Sequence, residues 1–244
     1  MNTHTQYGES VTRNRQPANW LYLDLDRVDY KRTLELQHRL VAARKTRVLK
    51  SNILLLLEHP AVFTLGRRGG LENLTVSREF LDKTGIPVIQ VERGGNITYH
   101  GPGQLIAYPI VDLEAARLNV DHYVELLEEI MIRSAREFDV HAQRNPLNRG
   151  IWIGNNKMGS IGIAIRKGIS FHGLALNVNL SLEPFTWINP CGLDQIGITS
   201  LQKESKRDIS MQDARQIFIK HFARVFEGGL VDADLDEVER LIQI

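Results

Sequence analysis

The sequence predicts an α/β chain of the α+β kind, a mixed β-sheet with helices packed on it. Two observations carry this reading. Strand-like segments come in clusters, joined in part by hairpin turns, and do not alternate one for one with helices as a strictly parallel, doubly wound sheet requires. The apolar run Ile53–Leu57 in "NILLLLEH" is too short and too uniformly apolar for a surface helix, and so marks a buried central strand. The chain has 244 residues, 43% of them hydrophobic and 24% charged. That is enough for one sizeable core. Residues 1–18 read as a flexible polar leader and 19–244 as a single domain.

The elements follow in order. "WLYLDLD" (20–26) alternates apolar and polar residues, as a half-buried strand does. Residues 29–47 place Leu34, Leu40 and Val41 among charges, the pattern of an amphipathic helix. "VSREFLDKTG" is a short helix with Ser77 as N-cap and Gly85 as stop. "IPVIQVER" is a strand leading into a glycine-rich loop, and "QLIAYPIVDL" is the strand that leaves it, with Pro109 pointing to an edge or a strand end. "VDHYVELLEEIMIRSAREF" is a helix with Asp121 as cap. The strands "GIWIG", "KMGSIGIAIRK" and "ISFHGLALNVNL" follow, with turns at Asn155-Asn156 and Lys167-Gly168. "ISMQDARQIFIKHFARVFEG" closes the chain as a helix, before a short amphipathic segment. The polar stretch Leu201–Asp208 is a possible boundary of a small C-terminal subdomain.

Bulk properties exclude several classes. A net charge of +1 gives no global attraction to nucleic acid or membrane. No apolar run approaches the length of a membrane span, and the polar N-terminus lacks a secretory signal's apolar core. The one cysteine, Cys191, rules out an internal disulfide and fits a reducing, cytoplasmic location.

Cys191 stands in "WINPCGLDQ". A free cysteine is usually a small core hydrophobe. Pro190 and Gly192 instead favour a rigid turn, which presents the thiol. A thiol with an ordinary pKa of about 8.5 needs a cation or base nearby to react as thiolate. His100, His172 and Lys157 are the candidates, and each has a plainer reading as a turn or surface residue. Their company raises their interest. "YHGPGQ", "KMGSIG" and "FHGLALN" each set a polar residue among glycines. Glycine inside a strand is destabilising by ~0.5–1 kcal/mol against alanine, and its usual reason there is a bulge or the close approach of a ligand. Three such stretches could line a bare-walled slot for an acyl chain, with Gly101, Pro102 and Gly103 as part of its wall.

The ordered set "RGGNITYHGPGQL", "KMGSIGIAI", "FHGLALNVNL" and "INPCG" resembles the motifs of the lipoyl(octanoyl) transferases. The likeness runs from about "LLLLEHPAVFTLGRR" to "NPCGL", over half the chain. It implies the biotin/lipoate protein ligase catalytic-domain fold. It implies an octanoyl transfer from octanoyl-acyl carrier protein, through a cysteine thioester, to a lysine of a lipoyl domain, the first step of endogenous protein lipoylation. The acceptors implied are the lipoyl domains of 2-oxoacid dehydrogenase E2 subunits and the glycine cleavage H protein. The implied catalytic pair is Cys191 and Lys157. The implied acyl-binding residues are Arg93, Gly94, Gly95, Asn96, Ile97, Thr98, Tyr99 and His100, then Ser160, Ile161 and Gly162, then Gly173, Leu174 and Ala175, with His172 as a supporting residue.

Thioester exchange is nearly energy-neutral and thioester to amide runs downhill, so no cofactor, metal or nucleotide is expected, and no phosphate-binding glycine motif is present. Lys157 could serve as an ammonium that stabilises the thiolate or, after its pKa falls from about 10.4, as a base. Amides at Gly94–Gly95 or Gly173–Leu174 are candidates for the oxyanion. Arg39, Arg44, Lys45, Arg47 and Lys50 form a basic cluster that could receive an acidic carrier. The rival readings are an ATP-dependent ligase of the same fold, a cysteine thioesterase using His100 or His172 as base, and a non-catalytic acyl-binding module.

Overall fold

The computed structural model describes residues 20–146, 148–189 and 196–242. The leader (1–18) and Cys191, with Pro190 and Gly192, lie outside the described residues. The elements are β1 (Trp20–Arg27), α1 (Tyr30–Lys45), β2 (Asn52–Glu58), β3 (Val62–Leu65), α2 (Arg78–Thr84), β4 (Val88–Gln90), β5 (Ile97–His100), β6 (Gln104–Asp112), α3 (Val120–Arg136), β7 (Gln143–Arg144), β8 (Gly150–Ile153), β9 (Asn156–Arg166), β10 (Ile169–Asn177), β11 (Gly197–Ile198), α4 (Leu201–Ser205), α5 (Met211–Phe226), β12 (Leu230–Asp232) and α6 (Leu235–Ile242).

The main sheet is mixed, as expected, with the order β12-β1-β2-β6-β10-β9-β8-β7 and β11 added beside β9. β12, β1 and β2 run parallel, while the strands from β2 to β7 alternate in direction. The apolar run of β2 is central and covered on both faces. Leu54 and Leu56 point into a cluster with Trp20, Leu127, Phe218 and Phe222 from the α3 and α5 side. Ile53, Leu55 and Leu57 point the other way, to Leu36, Leu40 and Val41 of α1. Truncating any of these leucines to alanine costs about 2–5 kcal/mol. A small sheet, β4-β3-β5, carries the glycine-rich loop.

Local chemistry accounts for the boundaries. The Ser77 side chain accepts from the Phe80 N–H at the start of α2, and Gly85 ends that helix at φ 69. Lys167 (φ 52) and Gly168 (φ 84) turn the β9–β10 hairpin in the left-handed region that a tight hairpin demands. The preceding hairpin turns one residue earlier than expected, on Gly154 (φ 53) and Asn155, with Ile153 paired to Asn156. The cap of α3 is Asn119, whose side chain accepts from the His122 N–H at 2.8 Å. Asp121 sits in the first turn, where its charge suits the helix dipole. The stretch 201–208 packs onto the main sheet. Leu201 is fully buried in the main core, and the Gln202 N–H donates to the Val178 carbonyl.

Pro109, expected at an edge or strand end, lies within β6 with β2 on one side and β10 on the other. The ladder to β10 is unpaired between Ala107–Leu174 and Val111–Ser170. Inside that gap His172 adopts φ 55 and its N–H donates to Gln37 Oε1 at 2.7 Å. The missing proline N–H therefore leaves no partner stranded.

Candidate active site

A cavity of about 550 Å³ lies against β9 and β10, under the loop that precedes β5. That volume suits a small ligand. Its walls include Arg93, Gly94, Gly95, Asn96, Ile97, Thr98 and His100, together with Ser160, Ile161, Gly162, Gly173, Leu174 and Ala175. Lys157 and His172 also line it. Three segments chosen from separate parts of the sequence thus converge. Another hollow, of about 490 Å³, is lined by polar groups such as Lys203, Lys206 and Arg207 and holds none of the expected residues.

Some expectations change. Tyr99 turns away from the cavity, its ring 5.3 Å from Phe63 and 5.5 Å from Phe185 in a satellite core. Gly101 and Gly103 are not cavity wall. A Cβ on Gly101 would strike the Tyr99 ring, and one on Gly103 (φ 86) would meet the Leu180 backbone N at 2.7 Å. A Cβ on Gly173 would strike the Ala107 carbonyl, so that glycine serves strand packing. Gly162 does serve the site. A Cβ there would meet Arg93 Cδ at 3.0 Å and lift the loop off β9. The Gly94 N–H donates to the Ile163 carbonyl at 2.9 Å, which removes it from the oxyanion candidates and leaves Gly95 of that pair.

Arg93 clamps the loop. It donates from Nη2 to the Thr64 carbonyl at 2.7 Å and from Nη1 to the Gly94 carbonyl at 3.0 Å. Lys157 is only 6% exposed. Its backbone is held on both flanks, by Trp152 of β8 and by Ile198 of β11. Its ammonium donates to Asn148 Oδ1 at 2.5 Å and lies 5.1 Å from the centre of the Trp152 ring, a cation–π contact. Gly150 (φ 127) makes room for the stem, since a Cβ there would come within 2.9 Å of Lys157 Cε. Ile198 also lines the cavity, and it follows Cys191 by seven positions in the sequence.

Burial favours the neutral form of His59, His100 and His172. Burial lowers His59 to about 4 and His172 to about 3, and holds His100 well below the usual range. His59 Nδ1 donates to the Val28 carbonyl at 2.7 Å, so its Nε2 accepts from the Tyr108 hydroxyl at 2.8 Å. His100 is bonded to Gln104 Oε1 at 2.8 Å. Sequence reasoning missed Asn148, Tyr30 and Tyr108, which also line the cavity. Asn148 sits in a loop with no motif, and the tyrosines read as ordinary core residues.

The basic cluster expected to dock a carrier is not one surface. Arg44 is buried and donates to the Leu49 carbonyl and to Asn52 Oδ1. Arg39 is paired with Glu239. The cluster gathers at the end of α1, roughly 20 Å along the helix from Tyr30, where α1 meets the cavity.

Among the described residues no group of three or more histidine, cysteine or acidic side chains could hold a metal, and no helix is long and apolar enough to cross a membrane.

Known proteins resemble this chain. The family of the lipoyl protein ligase A/B catalytic domain matches residues 29–223. An octanoyltransferase of Desulfotalea psychrophila is 48% identical over 214 residues, covering 86% of this chain and 96% of that protein. One of Syntrophobacter fumaroxidans is 42% identical over 220 residues, covering 90% and 96%. Among solved structures, an archaeal bipartite lipoate protein ligase from Thermoplasma acidophilum superposes with a TM-score of 0.72 at 18% identity, covering 93% of this chain and 91% of the other. That likeness bears on the fold alone, and it matches the architecture expected.

Proposed function

The chain belongs to the lipoyl protein ligase A/B catalytic-domain family, and from that premise we propose that it is an octanoyltransferase. The donor is octanoyl-acyl carrier protein, and the acceptor is a lysine of a lipoyl domain, in 2-oxoacid dehydrogenase E2 subunits or the glycine cleavage H protein. The Cys191 thiolate attacks the donor thioester. A new C–S bond forms, and the carrier thiol leaves with a proton. The acceptor's neutral amine then attacks the acyl-enzyme, gives the amide and returns the thiol. Splitting the transfer in two replaces one difficult encounter with two easier ones.

One observation carries this reading above the others. Lys157, whose buried amino group is held by Asn148 and Trp152, stands at the cavity wall, in register with the strand that follows the Cys191 segment. An ammonium there favours the thiolate by charge. The Arg93 guanidinium is committed to Thr64 and Gly94, and burial favours the neutral form of the histidines, so none of these does that work. The apolar floor of Ile161, Leu174 and Ala175 takes the chain, and the Gly95 or Gly173 amides are the oxyanion donors to test.

The test is Cys191→Ser with octanoyl-carrier as donor. Wild type gains an adduct of about 126 Da before the acceptor is added. The variant gains none and loses transfer by several orders of magnitude. Full transfer by the serine variant refutes the thioester route.

A further inference from the structure

We infer that His172, held in place by Gln37, forms a polar floor that limits the length of acyl chain the cavity accepts. The inference rests on the reading that this cavity holds an alkyl chain.

His172 is held in a conformation that a strand does not choose. It stands inside β10 at φ 55, in the left-handed region that non-glycine residues avoid. Gln37 of α1 keeps it there by accepting its backbone N–H at 2.7 Å. The result turns an imidazole toward the face that carries α1. The ring stacks on Phe171, with centroids 4.9 Å apart, and meets the edge of Tyr108 at 6.3 Å. It is therefore not free to swing toward a partner. It is 1% exposed and lines the cavity. Among the described residues neither ring nitrogen has a hydrogen-bond partner, and Gln37 Nε2, equally buried, has none either. A neutral imidazole offers one donor and one acceptor. Two buried polar atoms of a cavity-lining ring thus gather with a third, on Gln37 beside it, next to the apolar stretch of Ile161, Leu174 and Ala175.

Position makes this spot the far end. The hairpin register pairs His172 with Ile163, six residues beyond Lys157 on the same strand. That is roughly 20 Å of strand. An extended eight-carbon chain that starts near Lys157 ends short of the imidazole. A longer chain brings its methyl end onto the ring. Hydrocarbon there offers those polar atoms no hydrogen bond, and so it is disfavoured. Such a limit is chemical as well as steric, and it relaxes when polarity is removed at constant volume.

The experiment compares acyl-carrier donors from eight to sixteen carbons in competition, for wild type, His172→Phe, His172→Asn and Gln37→Met, with melting curves to show that each is folded. Wild type should disfavour the fourteen-carbon donor. His172→Phe should raise the fourteen-to-eight-carbon ratio of kcat/KM by about tenfold. His172→Asn, which stays polar and tolerates positive φ, should leave the ratio within about threefold. An unchanged ratio in folded His172→Phe overturns the inference, as does a wild type that takes both donors equally. Where His172→Phe does not fold, Gln37→Met carries the same test with the same deciding outcomes. Calorimetric binding of octanoic and tetradecanoic acids to these proteins reads the floor without any transfer. A wild type that binds octanoate but transfers nothing defeats the proposed function and leaves the floor standing.

Discussion

Asn148→Ala tests whether Lys157 is held as a charged group. Lys157 is 6% exposed and donates to Asn148 Oδ1 at 2.5 Å. Removing an acceptor from a buried charged donor costs about 1.5–3 kcal/mol. The Trp152 face remains beneath the ammonium, which favours the lower half of that range. In a chain of 244 residues, 1 kcal/mol moves Tm by roughly 2–4 °C. Asn148→Ala should therefore lower Tm by about 3–12 °C. In a Lys157→Met background the charge is gone and a chain of similar volume covers Trp152. There Asn148→Ala should cost no more than about 0.5 kcal/mol. Urea denaturation of the four proteins gives a coupling free energy, expected between about 1 and 2.5 kcal/mol. A coupling within about 0.3–0.5 kcal/mol of zero means that Asn148 does not hold the ammonium. Transfer separates the two roles: Lys157→Met should lose about 10²–10⁴-fold in rate, and Asn148→Ala far less.

Two further outcomes follow from the same geometry. Gly150→Ala forces a Cβ onto the Gly159 carbonyl and Lys157 Cε at φ 127, so it should lose at least about 2 kcal/mol of stability, together with most transfer; a stable, active variant would show that Lys157 does not need this gap. Stability should also fall as pH drops from 6.5 toward 4, because His59 and His172 titrate near 4 and 3 when folded but near 6.5 when unfolded, and His100 is lowered too. The unfolded chain binds more protons throughout that window, at about 1.4 kcal/mol per pH unit for each histidine. Urea midpoints at pH 7 and pH 5 measure it, and equal midpoints contradict neutral burial.

Legibility followed the strength of the local signal. Ser77, Gly85 and the Lys167-Gly168 turn act through their own backbone geometry, so single residues announced them. The run in β2 told of a strand covered on both faces because each of its leucines has a core to enter. The short strands β3 and β5 were hidden because four residues show too little period, and β5 lies within a loop rich in glycine. Pro109 misled because its tolerance depends on His172, 63 positions away in the chain, leaving the ladder. Residues of three of the quoted motifs come together around one cavity. The reason for each glycine was not readable, since Gly162 yields to Arg93, Gly173 to Ala107 and Gly101 to Tyr99, all contacts across the fold.

The choice between transferase and thioesterase turns on water. Hydrolysis of an acyl-enzyme needs a base with a free lone pair at the thioester. His59 is bonded to Val28 and Tyr108, and His100 to Gln104. His172 stands at the end of the cavity remote from Lys157. Near Lys157, Glu128 Oε1 accepts from the Gly150 N–H at 2.9 Å, and its Oε2 lies 3.3 Å from Arg144 Nε and 3.6 Å from Arg149 Nη1. Among the described residues, then, the lysine end of the cavity offers cations and a carboxylate ion-paired with two arginines. An ammonium helps a thiol leave its proton but does not strip one from water. An amine delivered by a docked acceptor is already a stronger nucleophile than water and needs less help. On the proposed route, an acyl-enzyme formed in this arrangement would wait for an amine.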